Sequence, residues 1–364
     1  MSNKLRQEAM DAITLNQIEL FGKRSLKSLA ASLARGWTEA RKGWHRPVPQ
    51  EGQVQIFAYH RVVADITQAE QNSIYGLVVS ATTFLRHLEL LQEAYEVLTM
   101  DQALAVLRGE QQVGRAAALI TMDDGYRDVY EQAWPVLQRM NLPAIVYVPT
   151  ALIGTTQLLD HDRLYWLVRQ AHDRGLDLRE PLEAAGLSPA RAADLCAARD
   201  VTRVTNQLNY QPLAVRQPIL QSLEAALNVS AEDYPAEYQL LDWAMVREMA
   251  AGGIAFGAHS DRHLILTLES EVSAEREIRR SKRVLEDQLQ CPIRHFAYPN
   301  GHYNAAVRQM VKQAGFASAT TTERARAKCG DDPYTLGRIS LCEESTRGIR
   351  GKYSTAVARL RLTA

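Results

Sequence analysis

Two periods alternate along this chain. From Val54 onward, short apolar runs bounded by polar or turn residues alternate with segments whose apolar residues recur every three or four positions. The short runs are too brief for helices and read as buried strands. They lie at residues 54–59, 116–122, 144–148, 254–258, 293–298, 316–320 and 334–341. Helical spacing fills the gaps. Residues 81–94 carry Phe84, Leu88 and Leu91 on one face, and 101–107 follow with Asp101 as a cap. Residues 126–140 contain Pro135, which predicts a kink or a division. A helix starts at Asp242 and stops at Gly252-Gly253, and others cover 270–289 and 304–314. Strand and helix in turn predict a parallel sheet covered by helices.

Three stretches depart from this rhythm. Residues 1–50 place Leu26, Leu29, Ala30, Leu33 and Trp37 at helical spacing, with nine basic side chains against four acidic, a net +5. That segment is expected to be a basic amphipathic helix packed on the main domain, with a charged face suited to peripheral contact with an anionic membrane. Residues 155–240 are rich in Ala, Leu and Arg and predict a mostly helical insertion, with His161 and Asp162 at its entrance as candidate lining of a cleft and a helix cap as the favoured role of Asp162. Residues 346–364 are read as a C-terminal tail, which leaves 51–345 as the main domain.

Composition narrows the function classes. The 364 residues carry 42 basic and 42 acidic side chains, which speaks against a nucleic-acid partner. The four cysteines, Cys196, Cys291, Cys329 and Cys342, lack metal-binding spacing and read as free thiols of a reducing compartment. No apolar run approaches the about 18 residues of a membrane span. Acidic residues near the start oppose a secretion signal, so a cytoplasmic protein is expected, able to work at the inner membrane face.

The chemistry-bearing residues share a position in the pattern. His60, Asp123-Asp124, His259 and Asn300-Gly301 each stand where a predicted strand gives way to a loop. In a parallel β/α barrel those loops build one face, where active sites lie. Side chains of adjacent strand residues point opposite ways, but at a strand end Asp123 and Asp124 can enter one pocket, one as a metal ligand and one as a base. His259 and His263 are four apart, the spacing that brings two imidazoles together on one helical turn. With Asp124 they would complete a facial metal set with open positions.

The motifs Thr121-Met-Asp-Asp-Gly125, His259-Ser-x-x-His263 and Tyr298-Pro-Asn-Gly301, with Phe57-Ala-Tyr-His-Arg-Val62 before them, resemble those of the polysaccharide deacetylase family. This is the NodB-homology, carbohydrate esterase family 4 group. The resemblance covers residues 54–150 and 240–342. It implies a distorted (β/α)7-type barrel that binds one divalent metal, usually zinc, and hydrolyses N-acetyl groups of a carbohydrate. Carried over by position, Asp124, His259 and His263 are the metal ligands and Asp123 the general base. The Asn300 backbone N–H faces the substrate carbonyl. His60 is the general acid, with His302 as second candidate. The chain departs from the pattern at Ala297, where many members have an arginine that orients the base. Arg338 is the candidate replacement. The site equally suits another C–N bond or an O-acetyl ester, and the rival from another class is a non-catalytic carbohydrate-binding protein. The absent secretion signal points to an intracellular N-acetylated glycan precursor as partner. The sugar and the oligomeric state are not written in these motifs.

Overall fold

The computed structural model describes residues 52–363, apart from position 199. The basic helix expected over residues 1–50 therefore lies outside the described residues. The described chain as far as Glu343 forms one compact unit.

It opens with β1 (Gln53–Tyr59), β2 (Arg61–Val63), α1 (Ile66–Asn72), β3 (Val78–Ser80), α2 (Ala81–Ala94), β4 (Glu96–Val97), α3 (Met100–Leu107) and β5 (Ala117–Met122). A π-helical turn, Val129–Ala133, runs into α4 (Trp134–Met140), and β6 (Ile145–Val148) follows. Helices α5 (Asp160–Asp173), α6 (Arg179–Ala184), α7 (Pro189–Ala197), α8 (Val201–Asn209), α9 (Leu213–Leu227) and α10 (Trp243–Ala251) then separate β6 from β7 (Ala255–Ala258). The unit ends with α11 (Glu271–Leu289), β8 (His295–Ala297), α12 (Ala305–Gln313), β9 (Ser318–Thr320), β10 (Ala327–Lys328) and β11 (Ile339–Ser340). Beyond it, the described residues carry one more helix, α13 (Thr355–Thr363).

Nine strands make one sheet in the order β10-β1-β5-β6-β7-β8-β9, with β4 on β5 and β11 on β1. All pairings are parallel except that of β1 with β10. Every residue of β5 and β6 is buried, as for strands covered on both faces. The sheet curls. The stretch from Leu336 to Leu341 links its two ends: the Leu336 N–H donates to Ala319 O (3.0 Å), and the Leu341 N–H donates to Ala58 O (2.8 Å). This is the mixed α/β, barrel-like architecture expected from the strand–helix rhythm.

The insertion has an apolar core of its own. Leu164, Leu167, Leu182, Leu195, Leu220 and Leu223 are buried together across α5 to α9. Its return strand-like stretch lies along the loop after β5, where the Arg127 N–H donates to Gln239 O (2.9 Å) and the Leu241 N–H to Gly125 O (2.8 Å). The returning end of the insertion is therefore tied to the loop that carries the acid pair.

Local readings changed in four places. Thr99, not Asp101, caps α3, in a reciprocal capping box with Gln102. Asp162 does not cap α5: its carboxylate is buried inside the first turn and accepts the Tyr126 hydroxyl (2.8 Å). The helix expected over 126–140 carries a π turn, Val129–Ala133, ahead of α4, and Pro135 falls in the first turn of α4. The last strand shrinks to Ile339–Ser340, because just before it the Leu336 and Arg338 N–H groups donate to Ala319 O and Glu323 O rather than to β1.

Gly257 of β7 shows how tightly the sheet is packed. A Cβ there would lie 2.5 Å from the Tyr147 ring of β6. Gly257→Ala is expected to cost about 1–3 kcal/mol through overpacking, measured as a fall in the thermal and denaturant midpoints. An unchanged midpoint would show that Tyr147 can move aside.

Candidate active site

The site forms where three parallel strands end. β1 ends at Tyr59 and presents His60, β5 presents Asp123-Asp124, and β7 presents His259. The backbone keeps the sheet pattern one residue further, with the Asp123 N–H donating to Tyr59 O (3.0 Å) and the His259 N–H to Val148 O (3.0 Å). Each functional side chain is thus mounted on a rigid strand end.

Asp124 then leaves the strand with a left-handed backbone, φ 72°. That turn overrides the strand rule that would send neighbouring side chains to opposite faces. Gly125 follows with φ 69°, and a Cβ at this position would sit 2.8 Å from Val148 Cγ1. The glycine is therefore required by both conformation and space.

Three donor atoms converge on one point. Asp124 Oδ1 lies 3.3 Å from His259 Nε2 and 3.1 Å from His263 Nε2. One ligand atom from each residue fits within 4.8 Å of the others. His259 and His263 do not share a helical turn as the spacing suggested. Their loop is irregular, with Ser260 at φ 60° and His263 at φ 58°. The two rings meet edge to face with centroids 4.8 Å apart.

The donor chemistry suits a cation. His259 Nδ1 lies 2.8 Å from the Ala297 carbonyl, which can only accept, so this nitrogen carries the proton. In the neutral ring Nε2 is then a lone pair aimed at a carboxylate, an arrangement that calls for positive charge between them. Protonation of the ring is the alternative. Burial works against an imidazolium at His259, yet the contact with Asp124 outweighs it and raises the pKa. His263 goes the other way, pushed down to about 4 by burial. Burial would raise Asp124, but hydrogen bonding to both histidines holds it well below the ordinary carboxylate range. A divalent cation bound to the three atoms satisfies all of them at once.

Beside this trio lies a second carboxylate with a different partner. Asp123 takes both terminal nitrogens of Arg338, Nη1 to Oδ1 at 2.7 Å and Nη2 to Oδ2 at 2.6 Å. Arg338 is itself fixed by donating Nε to Thr321 O (2.9 Å) and Nη1 to Thr121 Oγ1 (3.0 Å). Both members of the pair are 2% exposed or less. Burial pushes the Asp123 carboxyl up, but the guanidinium overcomes it and the net shift is downward. His60 Nε2 stands 3.9 Å from Asp123 Oδ2. Burial lowers the His60 pKa, although both aspartates pull it upward.

Asn300 lies in a tight turn after β8 with φ 55°, and its carbonyl accepts the Thr322 hydroxyl (3.2 Å). His302, the second candidate acid, is engaged elsewhere: its Nε2 meets the Tyr210 hydroxyl at the end of α8. The residues named from the sequence therefore fall into a trio of candidate metal ligands, a carboxylate–guanidinium pair with an imidazole beside it, and a separate turn. Sequence reasoning missed Thr121, Tyr126 and the setting of His161. The Tyr126 hydroxyl donates to Asp162 and lies 3.0 Å from His161 Nε2, whose ring stands 5.2 Å from that of His263. In the sequence these looked like an ordinary strand residue, a helix residue and a helix entrance.

The polysaccharide deacetylase family model matches residues 217–319, a span that holds His259, His263 and Asn300 but begins after the acid pair. Among curated proteins, YxkH of Bacillus subtilis (strain 168), whose name assigns it to the polysaccharide deacetylases, is 19% identical over 279 residues. That alignment spans 76% of this chain and 71% of the relative. Among solved structures, IcaB from Ammonifex degensii superposes with a TM-score of 0.56 at 17% identity, covering 87% of this chain and 100% of its own. The Streptococcus pyogenes deacetylase PplD, solved in complex with acetate, gives 0.53 at 18% identity, covering 80% and 94%. At such identities the structural likeness speaks for the fold.

Arg338 and Asp123 stabilise each other in a dry setting. Arg338→Met should leave a buried carboxylate unpaired and cost about 3–5 kcal/mol, read from denaturant unfolding. Arg338→Met with Asp123→Asn should recover part of that loss. A single-variant cost below about 1 kcal/mol would mean that water reaches the pair.

Proposed function

This chain belongs to the polysaccharide deacetylase family, and we propose that it removes N-acetyl groups from a carbohydrate by hydrolysis at a site holding one divalent cation, with zinc as the favoured metal. The deacetylase class, acting on carbon–nitrogen bonds of N-acetyl groups, follows from the family. The metal and the roles below are supported chiefly by one observation: three donor atoms of Asp124, His259 and His263 converge beside a carboxylate that is not one of them.

A divalent cation at the trio would polarise the acetyl carbonyl and lower the pKa of its water. Asp123 takes the proton of the attacking water. Its pairing with Arg338 keeps it ionised and fixes its direction. The backbone N–H of Asn300 is assigned to the oxyanion that develops on the carbonyl, a role worth about 3–4 kcal/mol where measured. The amine cannot leave as an anion, and His60 supplies its proton. Its lowered pKa makes the protonated ring a readier donor. Acid and base stand 3.9 Å apart, close enough to act on one tetrahedral carbon. Tyr210 holds His302 Nε2, which favours His60 for this step.

Acetate release from N-acetylated sugar oligomers should stop on chelation and return with zinc. Asp123→Asn should lower it by about 100-fold or more in folded protein. Activity that survives both treatments would sink the mechanism. His60→Gln gives a finer test. Its loss should be large on an N-acetyl amide and small on 4-nitrophenyl acetate, whose leaving group needs no proton. Equal losses on both would remove His60 from the proton-donor role. A substrate survey in which O-acetyl esters turn over far faster than amides would reassign the bond that is cut.

A further inference from the structure

The loop between the two histidines is held by a carboxylate that none of the motifs includes. Glu277 lies in the middle of α11 and is 1% exposed. Its Oε2 accepts the backbone N–H groups of Asp261 (3.1 Å) and Arg262 (2.7 Å), and its Oε1 accepts Arg262 Nε (2.8 Å). Ionised groups are costly to bury, yet two of this one's three partners are consecutive main-chain amides. Consecutive N–H groups aimed the same way form a small anion-binding concavity, and here a side chain from the same molecule fills it.

We propose that Glu277 is a positioning residue for the metal centre: by holding the amides of Asp261 and Arg262 it fixes the left-handed path that aims His259 and His263 at one point. The inference rests on the metal reading above. The loop is strained at both shoulders, with Ser260 at φ 60° and His263 at φ 58°. Such conformations cost energy in non-glycine residues and persist only where the surroundings enforce them. Glu277 acts on the two residues between the shoulders. The opposite side is braced as well, with the Ala151 N–H donating to Asp261 O (2.8 Å) and Thr150 Oγ1 to Asp261 Oδ1 (2.7 Å). His259 is anchored independently through Ala297 O. Arg280 Nε also pairs with Asp261 Oδ2 (3.0 Å), and the Leu264 N–H donates to Ser260 Oγ (3.2 Å). Among these contacts Glu277 alone holds the Asp261 and Arg262 main-chain amides between the two histidines. Metal sites tolerate misplacement of only about 0.2 Å in ligand distance.

The test is zinc affinity of the full chain by competition with a chromophoric chelator, alongside amide exchange of residues 259–264 in the metal-free protein. Glu277→Ala and Glu277→Asp, the second keeping the charge one methylene short, should each weaken zinc binding by about 10–100-fold and speed exchange in the loop. Glu277→Gln can still accept both amides through its carbonyl oxygen and should stay within about threefold of the wild type. A purely structural glutamate would lower the unfolding midpoint without moving zinc affinity. Folded Glu277→Ala or Glu277→Asp protein that binds zinc as the wild type does would overturn this inference alone. A wild-type chain that takes up no zinc would overturn the metal reading and the inference with it.

Discussion

Two neighbouring carboxylates cannot leave a β-strand on the same side unless the backbone turns between them. The left-handed residue at Asp124 is that turn, and the arrangement of the site follows from it. It sends one acid toward two imidazoles and leaves the other facing a guanidinium a few ångströms away. The two environments differ in kind. One is a set of lone pairs that wants a cation, and the other is a charge already neutralised. A single dipeptide thereby supplies two chemically distinct carboxylates, held apart by their partners rather than by distance.

The second of those partners couples the fold to the chemistry. Arg338 sits in the short stretch that links β9 to β1, the two ends of the curled sheet. The guanidinium reaches Asp123 only if that stretch is in place. In turn, Asp123, Thr121 and Thr321 accept its hydrogen bonds in an interior that would otherwise reject an arginine. Completion of the sheet and orientation of the acid are therefore the same structural event. The helical insertion enters into a comparable dependence. It is stitched to Gly125 and Arg127 by main-chain bonds, and it brings His161 against His263, so it forms part of the wall of the site.

Much of this was written in the sequence. Short buried strands announce themselves as apolar runs, and polar residues at their ends stand out because the runs stop there. That made His60, Asp123, Asp124, His259 and Asn300 visible as a set. Arg338 was legible only as a substitute for an arginine absent at Ala297, since nothing local distinguishes a buried arginine from a surface one. The helical reading of the histidine spacing went astray because i,i+4 proximity can also be produced by an irregular loop with two left-handed residues, and φ leaves no mark on a serine or a histidine. Asp162 looked like a cap because Asp near a helix start usually is one. Its burial depends on Tyr126, which is distant in the chain. Glu277 lies among five acidic and five basic residues of a charged helix, and only its neighbours in space set it apart.

The central claim is that one cation sits among three named atoms, and anomalous diffraction at the zinc edge from zinc-soaked crystals addresses it directly. The account predicts a single strong peak about 2.0–2.2 Å from Asp124 Oδ1, His259 Nε2 and His263 Nε2, with Asp123 still paired to Arg338. A map without a peak at that position, or with the ion bound through Asp123 in place of Asp124, would contradict it.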